Sequence, residues 1–354
     1  MRAVRGCNDS FAEAWQYRKR PRRAGHIRYA LPMNLQRKRR VYSLLAAAVM
    51  VAVLAVLLVL RFHAPPEVAR LLPESDAILY LDLKPVRAAS HFDKQPMQPS
   101  PEYQRFVAET GFQWDRDLDR VAVSLHRMAD PNGPNGPVAY TGVLEGHLDA
   151  DRLRRYLQAN GTAHETYAGH EIYTLPGGEG RVLRVSALGY DLLVASNTPA
   201  PEQIHSVIDR YAAGASPFAG SSLLAMRYRQ VPYFALAWGI GHVGLPFSER
   251  GNIQIFGITL PLPEDTDFIA SLSFRGALHL RVEELAPTEA EAATSAANLT
   301  AIANLLRGFM PSGGSPQNRA LYSALQSLKV EQHKASVVLT GVLSPLLLDP
   351  AASH

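Results

Sequence analysis

Residues Val41 to Leu60 read VYSLLAAAVMVAVLAVLLVL, and the rest of the chain is organised around this stretch. It carries no charged side chain, and only Tyr42 and Ser43 bear polar side-chain atoms. At a helical rise of about 1.5 Å per residue the stretch spans roughly 30 Å, the thickness of the hydrocarbon core of a bilayer. A helix also satisfies its own backbone hydrogen bonds in lipid. The stretch therefore predicts a transmembrane helix that contacts membrane lipid.

Basic residues are concentrated before this stretch. Residues 1–40 contain 12 Lys+Arg against 2 Asp+Glu, a net charge of +10, whereas residues 41–354 contain 24 against 30, a net charge of −6. Positive charge favours the cytoplasmic side of a membrane. We therefore predict a single-pass protein of a bacterial inner membrane, with a cytoplasmic N-terminus and a C-terminal part that is periplasmic or extracellular. Because the basic excess lies in a short tail, no nucleic-acid binding is expected.

A cleaved secretory signal is the alternative interpretation of a basic segment followed by an apolar one. The apolar run is longer than the roughly 7–15 residues of a signal peptide, and His63-Ala64-Pro65-Pro66 follows it instead of an A-x-A pattern. Cys7, the only cysteine, precedes the span, which argues against a lipoprotein. An uncleaved anchor is therefore predicted. Met33 is an alternative start, which would leave residues 1–32 untranslated.

The predicted organisation has six segments. They are a basic cytoplasmic tail (1–40), the transmembrane helix (41–60), a linker (61–70), a first exported α+β unit (71–215), a second exported α+β unit (216–345) and a tail (346–354). In both units, strands with period-two apolar patterning are followed by helices with one apolar face. The predicted fold class is accordingly α+β, with antiparallel sheets covered by helices. Since the exported part has no cysteine, packing alone must hold it together.

Helix termini are the clearest local signals. Asp149 is expected to cap a helix that begins after it, and Gly111 to end the helix before it. Thr288 and Glu291 form a capping box at the start of a long helix that continues to Phe309.

The stretch from Leu71 to Leu83, LLPESDAILYLDL, predicts a turn followed by the first strand, and residues 86–101 are expected to be irregular. In this stretch, and in a hairpin from Leu328 to Gly341 after two helices, the chain resembles a loose group of bacterial single-pass envelope proteins of unknown function. These proteins carry an N-terminal span, then a leucine, proline, x, x, aspartate, alanine approach to the first strand of an exported α+β domain. The resemblance implies a topology and a compartment, and it includes no catalytic motif.

Gly239 to Gly244 matches the pattern G-x-G-x-x-G directly after an apolar strand. A dinucleotide site needs a helix that begins within the glycines, whereas Pro246 and the residues after it predict a loop. The motif is therefore predicted to be a flexible glycine turn, and no nucleotide cofactor is expected.

The stretch from His147 to Asp151 offers one imidazole and two carboxylates, which could bind a divalent metal. A complete ligand set is missing, and helix capping explains Asp149 or Asp151 better. His164 and His170 lack a ligand spacing and are predicted to be surface residues. The sequence therefore predicts neither a metal nor a cofactor.

Motifs for covalent or metal-assisted catalysis are absent from the sequence: it contains no G-x-S-x-G, S-x-x-K, H-E-x-x-H or P-loop pattern. Ser221 and Ser222 suggest a nucleophile, but a helix cap explains them better. Because catalytic triads are recognised by geometry, dispersed catalytic residues remain an alternative. No catalytic residue is assigned.

The segment from Ile253 to Pro263 is apolar on both alternating faces. It predicts either a buried strand or an exposed ridge that contacts a partner or lipid. The leading hypothesis is a non-enzymatic, membrane-anchored exported protein with a binding or structural role and an envelope protein as its partner. The alternatives are an envelope hydrolase with dispersed catalytic residues and a signal-transducing sensor, the latter weakened by a cytoplasmic tail too short for a domain. The oligomeric state is not predicted.

Overall fold

The computed structural model describes residues 42–55, 64–90, 100–178, 180–214, 220–242, 252–255, 258–261, 266–309 and 315–344. The chain divides into two compact units, Met1–Leu57 and Leu58–His354. In the first unit, residues 42–55 form helix α1, while residue 41 and residues 56–60 of the predicted span and the whole tail 1–40 lie outside the described residues. Across the described ranges, no helix combines the length and the apolar character needed to cross a membrane.

The second unit contains the remaining described elements. Its helices are α2 (Glu67–Arg70), α3 (Leu83–Ser90), α4 (Pro101–Thr110), α5 (Trp114–Asp117), α6 (Ala150–Asn160), α7 (Glu202–Ala212), α8 (Ser222–Arg227), α9 (Glu289–Phe309) and α10 (Pro316–Ser327). A single 3-10 turn, Tyr228–Gln230, follows α8.

The described strands are β1 (Ala77–Asp82), β2 (Leu118–Arg127), β3 (Val138–Gly146), β4 (Ala163–Tyr167), β5 (His170–Pro176), β6 (Val182–Leu188), β7 (Leu192–Ser196), β8 (Ala235–His242), β9 (Asn252–Ile255), β10 (Ile258–Pro261), β11 (Asp267–Phe274), β12 (Leu278–Leu285), β13 (Lys329–His333) and β14 (Ser336–Leu343). Strands β9 and β10 form a separate two-stranded sheet that overlaps the segment Ile253 to Pro263, whose side chains lie outside the described part of the chain.

The other twelve strands form one sheet, in the order β13-β14-β12-β11-β8-β1-β2-β3-β7-β6-β5-β4. Every pairing in it is antiparallel. The α+β fold class with a large antiparallel sheet is therefore confirmed. Strand β1 lies near the middle and pairs with β2 on one side and β8 on the other, so strands from both predicted exported units share one sheet. The division of this part of the chain at residue 215 stays a prediction.

The helix termini follow the sequence signals. The Asp149 carboxylate accepts a hydrogen bond from the Arg152 backbone N–H at 3.0 Å and caps α6. Gly111 ends α4 in the left-handed conformation, with φ 73°, which glycine adopts without strain. The Thr288 hydroxyl accepts a hydrogen bond from the Glu291 N–H at 3.2 Å, which is the N-cap half of the predicted capping box, whereas Glu291 Oε2 is buried without a hydrogen-bond partner among the described residues.

Helix α3 and strand β4 differ from the prediction. Residues 83–90 form helix α3, although the residues after Pro85 were predicted to be irregular. Pro85 lies in the first turn of this helix, where backbone N–H groups have no partner within the helix and proline is tolerated. Strand β4 was not predicted, because four of its five side chains are exposed and its sequence, AHETY, lacks apolar alternation.

Candidate functional site

The five adjacent strands β11, β8, β1, β2 and β3 have one fully covered face. Two rows of side chains cross the strands on this face: Ile269, Ile240, Ile78, Ser124 and Thr141, then Ser271, Trp238, Tyr80, Ala122 and Val143. Each of these residues is at most 6% exposed. Most of them join the largest hydrophobic cluster, together with apolar residues of α2, α7 and α8. We call this side of the sheet the covered face.

Helices also pack against the opposite face, toward its two ends and, around α3, over one row of its middle strands. On one side, Leu153 and Leu157 of α6 pack with Tyr173 and Val185 of β5 and β6. On the other side, Ala292 of α9 packs with side chains of β13 and β14, and α10 also contacts β14. The middle of this face lies between these two groups of helices.

In the middle, two rows of side chains cross the same five strands. They are Phe268, Gly241, Ala77, Leu125 and Tyr140, then Ala270, Gly239, Leu79, Val123 and Gly142. We call these ten residues the central band. Leu79 is 42% exposed and Tyr140 is 41% exposed. Helix α3 and the residues near it pack on the next row, at Leu81 and Val121, so they leave the central band partly open to solvent.

The chemistry of the central band is almost purely apolar. None of its ten side chains is charged, and only the Tyr140 hydroxyl can form a hydrogen bond. The five strands lie inside the sheet, so their backbone N–H and C=O groups are used by neighbouring strands. A molecule that binds here would therefore gain contact mainly by burying apolar surface.

The glycine motif contributes to this surface. Gly239 and Gly241 lie within strand β8, because Trp238 and Ile240 alternate with them and are buried on the covered face. The prediction of a flexible glycine turn is therefore wrong for Gly239 to His242, and residues 243–250 lie outside the described residues. A Cβ at Gly239 would lie 2.9 Å from Leu79 Cδ2, so the glycine leaves room for that side chain. Its backbone belongs to the sheet and is not available to cradle a phosphate.

A buried Ser-His pair is present on the covered face. His126 Nε2 lies 3.1 Å from Ser124 Oγ, and this hydroxyl also donates to the Thr141 carbonyl oxygen at 3.0 Å. Burial lowers the pKa of His126, while Asp76 and the Glu74 backbone offset part of that effect. Ser124 is 0% exposed, so its hydroxyl is inaccessible to a substrate. The pair holds neighbouring strands together and does not form an open catalytic site.

The other serine candidates have a structural role. Ser221 is 0% exposed, and its hydroxyl accepts a hydrogen bond from the Leu224 N–H at 3.3 Å. The Ser222 hydroxyl donates to the Glu74 carboxylate at 2.7 Å. The helix cap predicted at this position is therefore confirmed, with Ser221 as the N-cap of α8.

The stretch His147 to Asp151 does not converge on one point. His147 Nδ1 lies 3.6 Å from the buried Asp119 carboxylate, whereas Asp149 caps α6 and Asp151 pairs with Arg154 at 3.5 Å. Among the described residues, no group of three or more His, Cys, Asp or Glu side chains is placed to hold a metal ion.

The remaining histidines are dispersed. His164 is exposed on strand β4 and lies 3.8 Å from Glu171, and the His170 ring meets Tyr211 edge-on. His242, at the end of β8, lies 2.7 Å from the Asp267 carboxylate. No described serine joins these histidines in a catalytic arrangement, and the central band is the more coherent candidate site.

Sequence reasoning did not find the central band. A usable signal exists, since Ala77 to Leu81 and Tyr233 to Gly241 are apolar on both alternating faces, a pattern typical of strands covered on both sides. The sequence does not indicate which of the two faces the chain's own helices cover.

The fold and the site together define an α+β protein with one long antiparallel sheet and an apolar band on one face. No protein-family model matches the chain, and no curated protein matches it. Three solved structures match over most of their length, all of them crystal forms of TP0453. Form IV shares 11% identity at a TM-score of 0.44, covering 82% of this chain and 97% of that one. Form III shares 10% at 0.42, covering 80% and 96%, and form I shares 8% at 0.43, covering 80% and 94%. Likenesses this distant carry no argument about this chain.

Proposed function

We propose that this protein is a single-pass envelope protein that binds a partner protein through the central band, without catalysing a reaction. The apolar stretch Val41 to Leu60 anchors it in a bacterial inner membrane through contact with lipid. The basic tail 1–40 keeps the N-terminus in the cytoplasm, and the sheet-containing part is exported to the periplasm or the cell exterior.

The observation that carries the binding role is the exposure of the central band. A sheet face that is apolar and uncharged normally packs against another layer. On the covered face this layer comes from the chain itself, whereas Leu79 and Tyr140 remain 42% and 41% exposed. Ala77, Gly142 and Gly241 of the band are buried, and the exposed apolar side chains beside them are typical of an interaction site.

The geometry favours a helix as the group that binds. Strands in a sheet are about 4.8 Å apart, so the five strands of the band extend over about 19 Å. A helix with its side chains is about 10 Å wide and would fit between α6 on one side and α9 on the other. An amphipathic helix would complete the interrupted helical layer with its apolar face, and it would require no hydrogen bonds from the band. We therefore propose an amphipathic helix of an envelope protein as the partner.

Site-specific crosslinking in cells tests this proposal. A photo-crosslinking amino acid replaces Leu79 in the full chain, and the matched control carries it at Val342, which is 39% exposed on the opposite face. We expect a discrete protein adduct from position 79 and none from position 342. A second change, Tyr140→Lys, should abolish the adduct, because it places a charge in the apolar interface, whereas Met226→Lys outside the band should not.

The other outcomes are informative. An adduct of twice the mass of the chain would replace the partner with a second copy, and a phospholipid adduct would replace it with lipid. A binding role for the band would be contradicted if position 79 gave no adduct. It would also be contradicted if Tyr140→Lys left the adduct unchanged.

Reporter fusions after His354 test the topology separately. A periplasm-active enzyme at this position should be active, and a cytoplasm-active fluorophore should be dark. The opposite result would overturn the orientation and leave the crosslinking result to be interpreted in the cytoplasm.

A further inference from the structure

A second candidate site lies on the covered-face side of the sheet, on the other face from the central band. Asp267, Leu285 and Ser336 stand side by side at the ends of β11, β12 and β14 and form one wall of an open pocket of about 420 Å³. The other lining residues are Arg227, Gln230, Ala286, Pro287, His333 and Ala335. Its volume falls in the range of about 300–1,000 Å³ that is typical of small-molecule sites.

Several polar groups of this pocket are already paired. One Asp267 oxygen lies 2.7 Å from His242 Nδ1, and the other pairs with Arg227 Nη2. The Ser336 hydroxyl donates to the His333 carbonyl oxygen at 3.1 Å. The carboxylate of the pocket is thus neutralised, so it offers little attraction to a cation.

Two groups of the pocket remain available to a ligand. Arg227 Nε is buried and has no acceptor within the described part of the chain. The Gln230 amide, which can both donate and accept, is exposed at the rim of the pocket and is free to bond a ligand in place of water. A buried donor without an acceptor destabilises the fold, so an acceptor on a ligand would be favourable beside the guanidinium.

The charge balance selects a neutral ligand. Asp267 cancels the charge of Arg227, and Glu331 lies 3.4 Å from His333, so an anion finds no net positive charge. Leu285 and Pro287 supply an apolar wall next to the polar groups. A sugar ring combines hydroxyl groups with a C–H face, and this combination matches both kinds of lining.

We propose that this pocket binds a neutral saccharide unit. The sugar hydroxyls accept from the Arg227 guanidinium and exchange hydrogen bonds with the Gln230 amide, while the ring packs against Leu285 and Pro287. This site is separate from the central band, and the proposal does not depend on the partner proposed for the band.

Ligand-observed NMR on the full chain in lipid nanodiscs tests the proposal. The probes are methyl glucoside, methyl galactoside and N-acetylglucosamine, with sodium acetate and inorganic phosphate as anionic comparisons. We expect magnetisation transfer from the protein to at least one sugar, which saturates with sugar concentration and gives a dissociation constant in the millimolar range. Gln230→Ala should weaken this binding about tenfold, because it removes the amide. Gln326→Ala, a matched change at an exposed glutamine on α10, should leave it unchanged.

Arg227→Lys is a second test, because it keeps the positive charge beside Asp267 but removes the planar guanidinium. It should also weaken sugar binding, and an unchanged urea midpoint confirms that the variant is folded. The proposal is overturned if no sugar gives saturable transfer at tens of millimolar, or if Gln230→Ala leaves sugar binding intact. Binding of acetate or phosphate that depends on Gln230, in place of sugar binding, would also overturn it.

Discussion

The two faces of strand β1 show how similar side chains can have different roles. Ile78 and Leu79 are neighbours of nearly equal size and apolarity, yet Ile78 is 0% exposed and Leu79 is 42% exposed. The difference arises from the layer above each residue. On the covered face, helices α2, α7 and α8 pack over Ile78. On the opposite face, helices cover the two ends and the row at Leu81, and they leave Leu79 half exposed. Apolar positions in the sequence thus indicate which side chains need a packing layer. That layer can come from the chain itself or from a partner.

Large-to-small substitutions at these two neighbours give the strongest test of the comparison. Ile78→Ala should lower the free energy of unfolding by about 2–5 kcal/mol, because it leaves a cavity in a packed core. Leu79→Ala should cost less than about 1 kcal/mol, since its side chain is only half covered. Urea denaturation of the full chain in detergent measures both values. Equal losses would mean that Leu79 is already covered, and would remove the basis for binding at the central band.

Two glycines sharpen the comparison by probing what lies above them. A Cβ at Gly146 would lie 2.4 Å from the Asp117 carbonyl oxygen, which is backbone and cannot move freely. Gly146→Ala should therefore cost about 1–3 kcal/mol. A Cβ at Gly239 meets the end of the Leu79 side chain at 2.9 Å, and this half-exposed side chain can turn away. Gly239→Ala should cost less than about 1 kcal/mol in the same denaturation assay; a loss as large as that of Gly146→Ala would show that Leu79 is held in place.

The covered face also carries the Ser-His pair, whose role can be tested directly. Ser124→Ala should cost about 1–2 kcal/mol, because it leaves the buried His126 Nε2 without its hydroxyl partner and removes the hydrogen bond from that hydroxyl to the Thr141 carbonyl. Ser323→Ala, at an exposed position on α10, should be close to neutral. Fluorophosphonate probes should label neither the native chain nor the variant. If the probe labelled the native chain but not the Ser124→Ala variant, the hydrolase alternative would be supported.

Local sequence rules predicted the local features of this fold well. The caps at Asp149, Ser221 and Thr288 each depend on a hydrogen bond to a residue three positions away, so the signal and its partner are read together. The hairpin of β2 and β3 joins two alternating segments through a loop rich in proline and glycine, so its strands are also close in the sequence. These contacts form within short stretches, where the sequence carries most of the information.

Contacts between distant segments were beyond such rules. Strand β1 pairs with β8, more than 150 residues later, and this pairing joins the two predicted units in one sheet. The central band is created by the same pairing together with the positions of α6 and α9, so no single stretch encodes it. The glycines at 239 and 241 look like a turn until their alternation with the buried Trp238 and Ile240 is considered.

Glu284 lies on the same face of the sheet as the central band, at a position that a helix covers. It lies beside Phe268 in the sheet, under α9, and is 1% exposed. Neither of its carboxylate oxygens makes a hydrogen bond of normal geometry with the described residues. Burial raises the pKa of Glu284, and the Ser295 hydroxyl nearby offsets only part of this effect. The native fold therefore favours the protonated carboxyl.

The smallest predicted effect follows from this pKa. Because the native state holds the proton more tightly than the unfolded state, the contribution of Glu284 is fully present below its ordinary pKa of 4.5 and is lost as the pH rises through the raised value. Glu284→Gln removes this titration. As the pH rises from acid to neutral, the stability of the variant should therefore fall less than that of the native chain. Urea midpoints across this range measure the difference. Glu283→Gln is the matched control, on the covered face and paired with Arg281 at 2.9 Å. The urea midpoints of Glu284→Gln and the native chain could instead show the same dependence on pH. The Glu284 carboxyl would then be in contact with water, and α9 would not cover this part of the face.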